Sequence, residues 1–112
     1  MKPFRLFALF LLTLAWGIAA GQTVRFAWLR DTHIGNRTGA EDLSASVREI
    51  NTLDSIDFVI DSGDVTEYGS DVQLQEAQSI LNRLTVPYHI IPGNHDTKWS
   101  ESGATTFARL WG

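Results

Sequence analysis

The spacing of apolar positions changes several times along the chain. Thr23 to Asp31, "TVRFAWLRD", is dense in β-branched and aromatic residues and predicts a strand. Gly35 and Gly39 then punctuate a loop. From Glu41 to Leu53 the period lengthens. Leu43, Val47, Ile50 and Leu53 share one face of a helix, with Asp42 near its positive N-terminal end. "DFVIDSGD" is a short apolar run closed by turn residues, the pattern of a buried strand. Ser70 with Gln73 three positions later makes a capping box, opening a second helix with an apolar stripe of Leu74, Ala77, Ile80, Leu81 and Leu84. "VPYHIIPGN" predicts a third strand, its Pro87 at the entrance, where a missing N–H is tolerated. "ATTFARLWG" begins a further apolar segment.

Strands alternating with helices in this order predict an α/β fold: a βαβαβ unit with a parallel sheet and right-handed crossovers. Phe26, Trp28, Phe58 and Tyr88 are expected in its core. The 112 residues allow one small domain, and there is no repeat or low-complexity linker.

The first 20 residues read differently. "MKPFRLFALFLLTLAWGIAA" sets Lys2 and Arg5 ahead of a short apolar run that ends in small residues, the layout of a secretory signal peptide. Cleavage after Ala20 or Gly21 fits, and the run is shorter than the roughly 20 apolar residues of a spanning helix. The expectation is a secreted or periplasmic protein of residues 21–112 with no membrane span after cleavage. With no cysteine, neither disulfides nor lipid attachment at a Cys contribute. The net charge of −4 becomes −6 once Lys2 and Arg5 are removed, so nothing marks a nucleic-acid binder.

Charge gains meaning from where the acids fall. Ligands of an open parallel sheet bind beyond the carboxyl ends of its strands. Those ends carry Asp31-Thr32-His33, then Gly63-Asp64, then Gly93-Asn94-His95-Asp96. Each Asp alone would pass for a cap or turn residue. Three such groups at one sheet edge point to a metal site. Carboxylate and imidazole without thiolate suit Zn, Mn or Fe rather than Ca. Asp31 and His33, two apart, can turn toward one ion, and Asp64 has two oxygens to share between two. Asn94 offers a neutral amide oxygen. A pair of ions roughly 3.5–4 Å apart would clamp a phosphate and activate a water for in-line attack. His89, inside the third strand, reads as structural.

From Phe26 to about Trp99, the motifs Asp31-x-His33, Gly63-Asp64 and Gly93-Asn94-His95-Asp96 resemble the calcineurin-like metallophosphoesterase family. The resemblance implies the N-terminal half of a four-layer α/β/β/α sandwich and an enzyme hydrolysing phosphate mono- or diesters with two metal ions. Asp31 and His33 would hold the first ion, Asp64 would bridge both, and Asn94 would bind the second. His95 would be catalytic at the substrate phosphate, with Asp96 holding its imidazole in orientation. Glu67 and Gly69 match the tail of the second motif and read as structural.

Two departures qualify that picture. Arg30 stands where the family commonly has a small polar residue, and is expected to pair with a nearby acid. The family also completes its site with further histidines downstream, whereas no histidine follows His95 here. The expectation is therefore a truncated form of low or no activity. The alternative is a non-catalytic metal-binding remnant or a partner-binding α/β module. An unfinished sheet would expose an edge and an apolar face and favour self-association. Trp99 stays open between lining a substrate cleft and packing.

Overall fold

The structure, a computed structural model, describes residues 21–112, so the expected signal peptide lies outside the described residues. Three strands, β1 (Phe26–Leu29), β2 (Phe58–Asp61) and β3 (Tyr88–Ile90), form one parallel sheet in the order β1-β2-β3. Between them run α1 (Gly39–Ile50) and α2 (Asp71–Leu81). The short α3 (Asn94–Thr97) and then α4 (Gly103–Trp111) follow β3. Successive parallel strands laid side by side in one direction, with crossovers of one hand, put α1 and α2 on the same face. This is the expected α/β fold.

The core forms between that face and the helices. Leu43 and Val47 of α1, Ala77, Ile80 and Leu81 of α2, and Ile34 and Val65 from the loops make one buried cluster, against which Leu29, Tyr88 and Ile90 of the sheet pack. The other face has no helix over it among the described residues. Phe26 and Trp28 stand exposed there, contrary to the expectation that they enter the core, and Phe26 stacks on Phe58 with ring centroids 5.5 Å apart. Strand alternation accounts for this. Ala27 and Leu29 take the helix side, which leaves the two aromatic residues of β1 on the open side.

Local chemistry shifted the element ends. α1 begins two residues before Glu41 because Asn36 Oδ1 accepts from the N–H groups of Thr38 and Gly39, meeting donors that the helix leaves free. It stops at Ile50, and Leu53 lies exposed beyond its end. At α2 only half the capping box forms. Ser70 Oγ accepts from Gln73 N, but Gln73 Oε1 accepts from Tyr68 N. "ATTFARLWG" is the helix α4. Its Thr106 and the preceding Ser102 both donate to Asp71 Oδ1, which fastens α4 to the start of α2 and lowers the Asp71 pKa.

Candidate metal centre

The loops leaving β1 and β2 are zipped together beyond the sheet. Asp31 N donates to Gly63 O, His33 N to Asp64 O and Ile34 N to Val65 O, while Glu67 N returns to Ile34 O. Fully buried Ile34 and Val65 anchor the pair from below. This backbone ladder fixes the side chains above it. Asp31, His33 and Asp64 each hold left-handed backbone, with φ of 53°, 48° and 52°. Such a conformation costs a non-glycine residue of order 1–2 kcal/mol. Concentrating it at three candidate ligands is the kind of strain that functional sites store.

The strain brings the ligands together. One ligand atom from each of Asp31, His33 and Asp64 lies within 4.8 Å of the others, a spacing that a single ion can bridge. Carboxylate and imidazole donors fit the Zn, Mn or Fe class. Asp64 is further fixed from the third loop, because His95 N donates to its Oδ1 at 3.1 Å. The approach requires glycine: a Cβ on Gly93 would collide with the Asp64 carboxylate, and one on Gly63 would collide with Gly93 N. Asn94, at the start of α3, is exposed, and its amide makes no hydrogen bond among the described residues. The third motif therefore begins a helical turn rather than a loop.

His33 faces two ways. Its Nε2 is 4.0 Å from Asp31 Oδ1, on the side of the ligand cluster. Its Nδ1 is buried, has no well-aligned hydrogen bond, and lies 3.1 Å from Glu67 Oε2. His95 lies edge-on to His33, ring centroids 4.8 Å apart, with its Nδ1 2.6 Å from the carbonyl oxygen of Glu67. A carbonyl only accepts, so Nδ1 carries the hydrogen and Nε2 is left for a ligand. Glu67, read from the sequence as structural, thus touches both imidazoles. Its position three residues after Asp64 was the available signal. His33, Glu67 and His95 also form a second group with ligand atoms within 4.8 Å, sharing His33 with the first.

The Asp96 carboxylate makes no hydrogen bond to His95, contrary to the expected arrangement. Fully buried, it accepts from Thr66 N and Oγ1 through Oδ1, and from Gly93 N and Val65 N through Oδ2. It binds the second and third loops to each other. Arg30 pairs, as expected, with a neighbouring acid, and that acid is Asp31 itself. His89 is exposed in β3, its ring edge-on to Phe58, on the open sheet face and away from the cluster. Asp61, at the end of β2, was not singled out from the sequence. Its side chain is buried with Oδ2 unpaired. Burial foremost, then the neighbouring Asp96 and Asp31 carboxylates, push its pKa up to about 6 against the opposing Gly63 N–H.

The chain is 35% identical over 81 residues to a glycerophosphodiester phosphodiesterase of Enterobacter lignolyticus, covering 64% of this chain and 29% of that protein. It is 36% identical over 83 residues to a probable cyclic nucleotide phosphodiesterase of Rhodopseudomonas palustris, covering 67% of this chain and 30% of that one. The chain thus spans about 30% of the length of these relatives. The family model for calcineurin-like phosphoesterases matches residues 24–112, from the start of the sheet through α4. With candidate ligands on loops at the carboxyl ends of a parallel sheet and a match along nearly all the described residues, the chain belongs to the calcineurin-like phosphoesterase family.

Proposed function

We propose that this chain is the N-terminal, ligand-bearing part of an exported phosphoesterase that hydrolyses phosphate mono- or diesters at a two-metal site. The observation that carries the reading is the convergence of Asp31, His33 and Asp64 on one point through strained backbone. Export rests on the N-terminal pattern of residues 1–20. Bound ions would supply charge stabilisation at the phosphate and a nucleophile at neutral pH.

The chain's own residues do the rest. Asp31 and His33 would hold the first ion, Asp64 would serve both, and Asn94 would serve the second. His95 presents Nε2 to the substrate because its Nδ1–H is committed to Glu67 O. As water adds to phosphorus and the ester P–O bond breaks, His95 Nε2 would pass a proton to the departing alcohol oxygen, while the proton of the attacking water is released to solvent, from which His95 regains its own. With only Asp64 and Asn94 among these residues for the second position, an ion there would be weakly held, and slow turnover by these residues alone is expected.

Metal content and hydrolysis of p-nitrophenyl phosphate after Mn reconstitution test the reading together. The expected result is retained metal that Asp64→Asn and His33→Ala each reduce, with slow turnover that depends on it. Protein that retains no Mn, Fe or Zn above the level of both variants would overturn it. Robust Mn-dependent turnover abolished by Asp64→Asn would leave the site assigned and overturn the expectation of low activity.

A further inference from the structure

Among the described residues, three tryptophans have different situations. Trp28 Nε1 donates to Ser62 Oγ and Trp111 Nε1 to Tyr88 Oη. Trp99 Nε1 has no hydrogen-bond partner among the described residues, and the side chain is 61% exposed. It is nonetheless placed. Trp99 follows His95 by four positions, the spacing that brings side chains together on one side of a helical turn. Its ring lies 5.3 Å from the His95 imidazole, tilted by 32°. The backbone under it is tied at both sides: Lys98 N donates to Asn94 O, and Gly103 N to Ser100 O. The ring is thus held beside a candidate site while open to solvent.

We infer that Trp99 is the platform for the substituent of the phosphate ester, and that it selects esters whose substituent is a flat aromatic group such as a nucleobase. The inference rests on the proposal that His95 faces the phosphate. A group bonded to that phosphate then extends over the ring beside His95. An indole with a free face and a free N–H offers stacking and a hydrogen bond to a planar heteroaromatic ring, and neither is matched by a glycerol-like chain. Tyr68, exposed and one residue past Glu67, carries a second aromatic ring in the loop that bears Asp64.

The test compares ligands with the same phosphate. The Mn-reconstituted chain is titrated by calorimetry with AMP, ribose 5-phosphate and inorganic phosphate, for wild type, Trp99→Ala and Trp99→Phe, with circular dichroism to check each fold. The expected result is AMP binding about tenfold tighter than ribose 5-phosphate in wild type, the size of one base–aromatic stack. Trp99→Ala should remove that preference while still binding ribose 5-phosphate, and Trp99→Phe should keep most of it. If phosphate and ribose 5-phosphate bind but AMP binds no tighter, or if Trp99→Ala weakens all three equally, the platform role is overturned and the phosphate site stands. If none of the three binds, the phosphate site itself fails and takes the platform with it.

Discussion

Glu67 Oε2 lies 3.1 Å from His33 Nδ1, and through its carbonyl the same residue takes the Nδ1 of His95 at 2.6 Å. One position therefore aims two imidazoles, leaving both Nε2 atoms free for what enters the site. A carboxylate behind a ligating histidine fixes its ring and raises its basicity. The two contacts can be separated, because substitution removes the carboxylate and keeps the carbonyl.

Glu67→Ala should weaken metal binding by about 10- to 100-fold, the usual loss when such a carboxylate is removed. Glu67→Gln should lose less, since an amide oxygen can still lie beside His33 Nδ1. Calorimetric titration with Zn or Mn checks the order. Equal affinity in all three proteins would show that the Glu67–His33 contact has no bearing on the metal.

Asp96 makes a contrasting case, a motif residue whose work is in the scaffold. Asp96→Ala strands the N–H groups of Thr66 and Gly93 together with the Thr66 hydroxyl, all bonded to it at 2.8–2.9 Å. Unpaired buried donors cost about 1–3 kcal/mol each, so a loss of about 3 kcal/mol or more is expected in urea unfolding. A variant as stable as wild type with only slowed turnover would return Asp96 to the role of orienting His95 that the family resemblance implied.

Asp61 should give the chain an unusual pH dependence. Its folded pKa of about 6 exceeds the ordinary 3.8, so the folded protein keeps a proton that the unfolded chain has released. Stability from this group is full below about pH 4, falls as pH rises through 6, and is about 3 kcal/mol lower above that. Asp61→Asn stays neutral and retains the acceptor for Gly63 N. The stability of the variant relative to wild type should therefore rise by about 2–3 kcal/mol between pH 4 and pH 8. A difference that does not change with pH would show that Asp61 ionises freely in the fold.

Period and turn chemistry made the sheet, the two crossover helices and the convergence of three motif-bearing strand ends legible. Each is specified locally: Leu43, Val47 and Ile50 by helical spacing, Asp64 by the glycine before it. What stayed hidden depends on tertiary direction. The paired roles of Glu67 require knowing that the β1 and β2 loops zip together, which only the fold decides. The Asp96 carboxylate found backbone donors one loop away before it could reach its neighbour's ring. Asn36 could not be read as a cap, since its chain must first fold back over Thr38 and Gly39. Likewise the aromatics of β1 are equally apolar on either face, and sequence alone did not say which face the helices would cover.

That open face sets the last expectation, that this chain self-associates. Trp28 is 63% exposed, and Phe26, Val24 and Ile91 are also among the exposed large apolar residues. The outer strands β1 and β3 each have one partner in the three-stranded sheet, leaving their outer edges unpaired there. Apolar area and unpaired edges both favour association. Trp28→Lys places a charge on the face and at an edge strand without touching the core cluster, so it should shift the protein toward monomer. Sedimentation velocity across a range of concentrations reads the change. A wild-type protein that sediments as a monomer throughout would mean that the exposed face is not adhesive on its own.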